Sequence, residues 1–371
     1  MSLPFPCPSP ASTLAIDWSR VEGEAWVGPM AACMQDAEHH AEGDVWTHTK
    51  MVCEALVQLP AWQALDADAR ERVFAGCLLH DIAKPPCTVI EDGRIRHPGH
   101  SPRGATMVRE LLWRAGAPFH AREEVVALIR HHQVPFFLID ADDPLRRAAE
   151  ISLRARCRLL ALVTEADARG RVCRDQRRLL ENIELFVALC DEHGCLDGPY
   201  PFPSDVARVA YFRTPGRDPT YAAHDDTRFT VTLMSGLPGA GKDRWIADNL
   251  SVPVISLDAI REELGVAPGG GGSEVAKIAR ERARALLRDA QPFVWNATNL
   301  RRDHRARLVD LFMSYGARVR IVYVEAPCAR LFQQNRARAA VVPVAVIERM
   351  LRGWDVPDAS EAHEVVHVVS E

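Results

Sequence analysis

Lysine is almost missing from this chain: Lys50, Lys84, Lys242 and Lys277 are the only four among 45 basic residues. Two of them, Lys84 and Lys242, stand inside motifs where a compact point charge serves better than a planar guanidinium fork. No apolar run approaches the roughly 20 residues that a membrane helix needs, so no membrane partner is expected. The first residues, MSLPFPCPSPASTLAIDW, lack a basic region and a long apolar stretch, which argues against a signal peptide. The 10 cysteines show no CxxC pair and no regular spacing. Free buried thiols in a reducing cytoplasm explain that better than a disulfide framework. Nor is there an excess of positive charge: the formal net charge is −5. A chain that coats nucleic acid by bulk attraction is excluded, and any such contact must be a local basic site. Internal repeats are also lacking.

What is present suits two globular domains. The chain has 371 residues, 47% hydrophobic and 26% charged, too long for one ordinary core. From about residue 20 to 195, segments such as DVWTHTKMVCEALVQL, ADARERVFAGCLLHDIA, PRGATMVRELLWRAG, AREEVVALIRHH, ISLRARCRLLALVTEADARG and RRLLENIELFVALCDEHG space their apolar residues by three and four. This half reads as all-α, with no alternating strand. Residues 201–225, rich in Pro, Gly, Asp and Thr, read as a linker or wrap-around arm. Beyond it, FTVTLMSG, VPVISLD, PFVWNAT and ARVRIVYVEA are short β-rich runs separated by helical segments. That alternation predicts a parallel sheet covered on both faces, giving a multidomain chain with an α domain at 1–200 and an α/β domain at 226–371. APGGGG at 267–272 reads as a flexible loop.

In the α half, His48, His80-Asp81, His100, His131-His132 and Asp167 fall on five segments. Imidazole and carboxylate together suit one or two borderline or hard divalent ions such as Mn, Fe, Co, Ni, Zn or Mg. With no cysteine in the set, a structural zinc site is not expected. A single histidine on a helix is usually a satisfied core or surface residue. An apolar helix running straight into His-Asp is harder to explain by packing alone, because the buried pair costs desolvation unless something compensates it. Of His131 and His132 only one can face a bundle interior, and His132 is favoured with His131 as its rival. WTHTKM, LLHDIAKP, GHSPRGA, LIRHHQVP and TEADARGR resemble, in that order, the motifs of the HD phosphohydrolase superfamily over residues 40–170. The resemblance implies that His48, His80, Asp81 and Asp167 hold one metal and that Asp81, His100 and His132 hold a second. Lys84 and Arg103, one turn from ligands, would bind phosphate oxygens; ordinary surface charge is the equal alternative.

In the α/β half, Gly236-Leu-Pro-Gly239-Ala-Gly241-Lys242 follows a strand and opens a helix, which is the context of a phosphate-binding loop. Backbone N–H groups would cradle the phosphates and Lys242 would add its charge. The hydroxyl residue usual after this lysine is Asp243 here. A carboxylate can hold Mg²⁺, and without metal it repels triphosphate. SLDAIR places Asp258 at a strand end and Arg261 one turn later, a carboxylate for a hydroxyl proton and a guanidinium for a phosphate; an N-cap and a surface arginine are the plainer reading. QQNRARAAVVPVAVIERML offers arginines over the phosphates, or else a solvated arginine face.

GLPGAGK, SLDAIR, NATNL and NRARAAVVPVAVI together resemble the phage-type 5′-hydroxyl polynucleotide kinases over residues 229–371. That resemblance implies Lys242 on phosphate, Asp258 as general base, Arg261 on an acceptor 3′-phosphate, Arg338 then Arg336 as lid arginines, and Thr298 near the acceptor nucleotide. A carboxylate often seen before that threonine is Ala297 here. The order of the two halves is similar to that of bacterial HD–polynucleotide kinase end-healing proteins. These would use divalent metal at one site and ATP (or another NTP) with Mg²⁺ at the other, on RNA or DNA ends upstream of a ligase. An HD nucleotidase joined to a small-molecule kinase, or an ATP sensor regulating the HD site, are the competing expectations.

Overall fold

A computed structural model describes residues 3–11, 14–266, 272–338 and 341–370. Residues 267–271 of the expected glycine loop, and Ala339 and Ala340 of the arginine segment, lie outside the described residues. The chain divides into two compact units, Met1–Pro201 and Phe202–Glu371.

The first unit is a helical bundle. Its main helices are Val45–Val57, Ala67–Leu79, His100–Arg114, Phe119–His131, Cys157–Arg169 and Gln176–Glu192. Asp44 starts the first by accepting hydrogen bonds from the Trp46 and Thr47 amides, and Asp66 caps the second through the Ala69 amide. Val52, Leu56, Val73, Phe74, Leu78, Val108, Leu112, Leu128, Ile129, Leu160 and Val163 are fully buried between them. At Gly170 a Cβ would lie 2.6 Å from the backbone nitrogen of Val52. Only glycine therefore lets the end of the Cys157–Arg169 helix close on the Val45–Val57 helix, which is what carries Asp167 to His48.

Two details differ from the sequence reading. The periodic run from Ile151 to Gly170 is two helices, Pro144–Ser152 and Cys157–Arg169, broken at residues 153–156. A two-stranded antiparallel hairpin, Val89–Glu91 with Arg94–Arg96, also stands beside the helices. Its turn residues Asp92 and Gly93 have φ of 51° and 74°, the left-handed pair of a tight Asp-Gly hairpin turn.

The second unit holds a five-stranded, wholly parallel sheet. The order across it is Val254–Ser256, Phe293–Asn296, Phe229–Ser235, Ala317–Glu325, Glu364–Val369. The central strand has neighbours reached by connections running in opposite directions, so a crevice opens at its carboxyl end. The edge strand Glu364–Val369 was not expected; its partly polar face hides the alternation. The stretch expected as a linker contains the helix Asp205–Arg213, capped by Ser204 through the Ala207 amide. Arg208 from this helix donates to the carbonyls of Ala359 (2.9 Å) and His363 (2.8 Å). Arg318 pairs with Asp205 and, at 3.2 Å, with Asp225. Residues 204–225 are thus largely part of the second unit, fixed there by these arginine bonds and by the buried Ala207, Val209 and Tyr211. A buried Arg305 ties Asn299, Leu300 and Asp355 together through their carbonyls (3.0, 2.9 and 2.8 Å) and grips Glu361 with two hydrogen bonds of 2.7 and 2.8 Å.

Candidate metal centre and phosphate-binding cleft

In the bundle, helix ends deliver the ligands. His80 caps the Ala67–Leu79 helix, His100 opens its own, and His132 follows the helix that ends at His131. In all three histidines Nδ1 is held by a carbonyl three residues back: Cys77, His97 and Ile129, at 2.7, 2.8 and 2.8 Å. Each Nε2 is thereby aimed at the centre of the cluster. Two overlapping nests result, His48–His80–Asp167 and Asp81–His100–His132, each with its potential ligand atoms within 4.8 Å of one another. Asp81 joins them. Its Oδ2 lies 3.0 Å from His80 Nε2 and its Oδ1 lies 3.4 Å from His100 Nε2. His131 turns away toward Arg147 at 3.4 Å, so His132 is the member of that pair facing the nest.

Every one of these side chains is buried. Burial alone would protonate Asp81, but His80 and Lys84 outweigh it and hold its carboxyl well below the usual range. Burial likewise opposes a proton on His80, and the charges of Asp81 and Asp167 reverse this and raise its pKa. His132, where burial wins, is pushed down to about 3. Neither buried oxygen of Asp81 accepts a hydrogen bond of good geometry, although the Lys84 ammonium stands 2.7 Å from Oδ2. A buried carboxylate of this kind among imidazole nitrogens fits one or two divalent ions.

Three supporting residues escaped the sequence reading. Glu42 stands 2.8 Å from Nδ1 of both His40 and His48 and accepts from the Val172 amide at 2.9 Å. Arg171 holds Asp167 with two bonds of 3.0 and 2.6 Å; its place four residues later, just past the end of the Cys157–Arg169 helix, was the available signal. Gln35 accepts from the Lys84 ammonium at 2.6 Å, a pairing across 49 positions that no local pattern announces. Of the two expected phosphate ligands, Lys84 is at the cluster, whereas Arg103 is exposed and donates to the Pro86 carbonyl at 2.8 Å.

In the second unit the loop after Phe229–Ser235 carries Gly236, Gly239 and Gly241 at φ of 145°, 81° and 102°. At Gly236 a Cβ would meet the Val324 carbonyl oxygen at 2.3 Å, so both the conformation and the contact demand glycine. Lys242 opens the following helix and donates to the carbonyls of Gly236 and Leu237, both at 2.9 Å. Burial lowers its pKa to about 8. A cleft of ≈ 470 Å³ is lined by, among others, Lys242, Asp243, Asp258, Arg261, Thr298 and Arg338.

Asp258 is neither a strand end nor an N-cap. The strand stops at Ser256, which caps the Leu257–Glu263 helix through the Ala259 amide, and Asp258 lies in that helix's first turn. Its exposed carboxylate accepts from Arg261 Nη1 at 2.6 Å and stands 3.6 Å from Arg338 Nη2. Arg336 is exposed and does not line the cleft. Asn335 holds Val342 by a 2.8 Å bond to its carbonyl and a 3.1 Å bond from its amide. This amide fixes both ends of the segment that bears Arg338. The Thr298 carbonyl receives the Gly236 amide at 2.9 Å, joining this side of the cleft to the loop.

Fold and site together define a multidomain protein with an N-terminal helical HD phosphohydrolase domain and a C-terminal P-loop kinase-like domain. Residues 45–168 match the HD domain family and residues 231–357 match the AAA domain family. Among curated proteins, the chain is 31% identical over 164 residues to a multifunctional CCA protein of Ralstonia nicotianae, covering 42% of this chain and 35% of that one. It is 37% identical over 98 residues to a multifunctional CCA protein of Halorhodospira halophila, covering 26% and 21%. The chain thus spans about a third or less of the curated relatives it matches. A crystal structure from Chloroflexus aurantiacus, described as a candidate kinase, aligns with a TM-score of 0.33 at 18% identity over 40% of this chain and 87% of its own.

Proposed function

We propose that the chain is a bifunctional end-processing enzyme for nucleic acids. Its HD domain hydrolyses 2′,3′-cyclic or 2′-phosphate ends, and its P-loop domain transfers phosphate from ATP to a 5′-hydroxyl. The observation that carries this reading is the cleft. The glycine loop and Lys242 line it together with a carboxylate beside two arginines (Asp258, Arg261, Arg338) and Thr298. Phosphoryl transfer needs little more than such an arrangement: a cradle for the donor, a base for the attacking hydroxyl and cations on the transferring charge. Asp258 takes the hydroxyl proton, Arg338 steadies the phosphoryl group, and Arg261 holds the acceptor.

At the HD site, His48, His80, Asp81 and Asp167 would hold one ion and Asp81, His100 and His132 the other, of Mn²⁺ or a similar metal. Ions there would act as Lewis acids and ionise a water near neutral pH. Around them, Arg171 orients Asp167, Glu42 orients His48, and Lys84 offers a cation to a phosphate oxygen. The curated relatives' name, which refers to CCA, points the same way as the arginines. The ten free cysteines accord with a cytoplasmic setting, and a ligase would act on the healed ends.

The test uses the full chain. Labelled ATP with Mg²⁺ is offered to 5′-hydroxyl RNA and DNA oligonucleotides, and Mn²⁺ with 2′,3′-cyclic-phosphate RNA. Labelled oligonucleotide and opened cyclic ends are expected. Phosphorylation of mononucleotides or metabolites alone would replace this reading with a small-molecule kinase. ATP binding without transfer to any acceptor would make the second domain a sensor.

A further inference from the structure

The position after Lys242 and the end of the neighbouring strand have to be considered together. Phosphate-loop enzymes commonly hold the nucleotide's Mg²⁺ with a serine or threonine hydroxyl after the lysine and an aspartate from a second strand. Here the first position is Asp243. The strand beside the loop strand, in register at Leu233 with Trp295, ends at Asn296. Asn296 Nδ2 donates to Asp243 Oδ1 at 2.6 Å. Asn296 is 93% buried, lines the same cleft as Lys242, and its Oδ1 has no hydrogen-bond partner. The bond to Asp243 fixes the amide's orientation, because exchanging its oxygen and nitrogen would set oxygen against carboxylate.

We infer that Asp243 and Asn296 form the divalent-cation site of the kinase-like domain, with the carboxylate and the neutral oxygen in exchanged positions. This rests on the reading of the cleft as a nucleotide site. One carboxylate oxygen is spent on holding the amide, which leaves the other, with Asn296 Oδ1, as the two hard oxygens for the ion; Mg²⁺ keeps waters and phosphate oxygens for its remaining positions. The exchange preserves the number of carboxylates. It explains both the missing hydroxyl at residue 243 and the missing carboxylate at the strand end, each of which alone would look like decay of the loop. A mere tether between strand and helix would need Asn296 Nδ2 but would leave Oδ1 buried for no purpose.

Four full-length proteins test it: wild type, Asp243→Ser, Asn296→Asp, and both changes together. Mn²⁺ binding is followed by water-proton relaxation with and without a non-hydrolysable ATP analogue, so that uptake by the HD cluster is subtracted. Affinity for the analogue is measured separately in EDTA. Asp243→Ser should weaken the nucleotide-dependent Mn²⁺ site about 10–100-fold, without weakening the analogue in EDTA. The double change restores a hydroxyl and a carboxylate at the two positions and should recover Mn²⁺ affinity to within about threefold of wild type, a non-additive result expected only of coupled residues. Recovery by the double variant also shows that both positions tolerate change without loss of fold. Unaltered Mn²⁺ affinity in Asp243→Ser, or a double variant no better than the single, overturns the inference while leaving the kinase reading intact. A wild-type protein that binds no analogue under any condition removes both.

Discussion

The two candidate sites are built in opposite ways. The HD cluster is made of side chains, all buried, three of its histidines standing at helix ends with Nδ1 bonded to nearby carbonyls. The P-loop cleft is made largely of backbone, with its chemical groups on the rim: Asp258 keeps 69% of its side chain exposed. A buried nest of charged groups is costly unless something compensates it, and an ion bound there would couple to the fold. A backbone cradle carries little such cost and stands ready without ligand. Damage should therefore be severe and general in the first site, selective in the second.

Asp81→Ala is the strongest test of that contrast. It removes the shared ligand, and hydrolysis of 2′,3′-cyclic-phosphate RNA should fall by about 10³-fold or more, with bound metal lost in elemental analysis. Kinase activity should persist; loss of both activities in a folded variant would break the two-site division. Next, Asp258→Ala should depress kcat by about 10²–10⁴-fold with ATP affinity little changed. Arg261→Ala should instead raise KM for the oligonucleotide, least for acceptors without a 3′-phosphate. Steady-state kinetics on both acceptor types read this directly, and wild-type rates from both variants would return the pair to a surface role.

A smaller effect is expected from Glu42→Ala. It takes the carboxylate from behind His48, and metal affinity at the HD cluster should drop by about 10–100-fold while the ATP site is unaffected. The mildest test is pH. Lys242 has its pKa lowered to about 8 in the free protein. Below that pH the cation is already formed. Above it, binding a phosphate anion must first take up a proton, so nucleotide affinity should hold steady to about pH 8 and then weaken by at most about tenfold per unit. Calorimetry in buffers of different ionisation enthalpy would show the proton uptake. A flat affinity from pH 7 to 9.5 would mean that Lys242 does not meet the phosphate.

Legibility in the sequence followed the range of each interaction. His80-Asp81 and the glycine-lysine loop were readable because their chemistry is written in adjacent residues, and the helix periods and parallel strands because their repeats are short. Glu42, Gln35 and Asn296 act on partners 6, 49 and 53 positions away, and only the folded chain shows the two longer pairings. Asp258 was misplaced by two residues because Ser256 competes for the cap and wins with a shorter strand. The Glu364–Val369 strand lies at a sheet edge, where one face need not be apolar. Residues 204–213 looked like a linker by composition, yet they form a helix that buries Ala207, Val209 and Tyr211 and is held by arginine bonds to carbonyls.

Arg305 sets an order of events during synthesis. Its guanidinium is wholly buried, and its carboxylate partner, Glu361, leaves the ribosome more than fifty residues later. Until then the arginine must stay hydrated or find a wrong partner, because a buried unpaired charge is strongly destabilising. The carbonyls of Asn299 and Leu300, next to Thr298, are held by that same arginine. The Thr298 side of the cleft is therefore completed late in translation. A nascent chain that already displays the glycine loop, Asp258 and Arg338 would still lack the carboxylate that lets Arg305 hold the backbone beside Thr298.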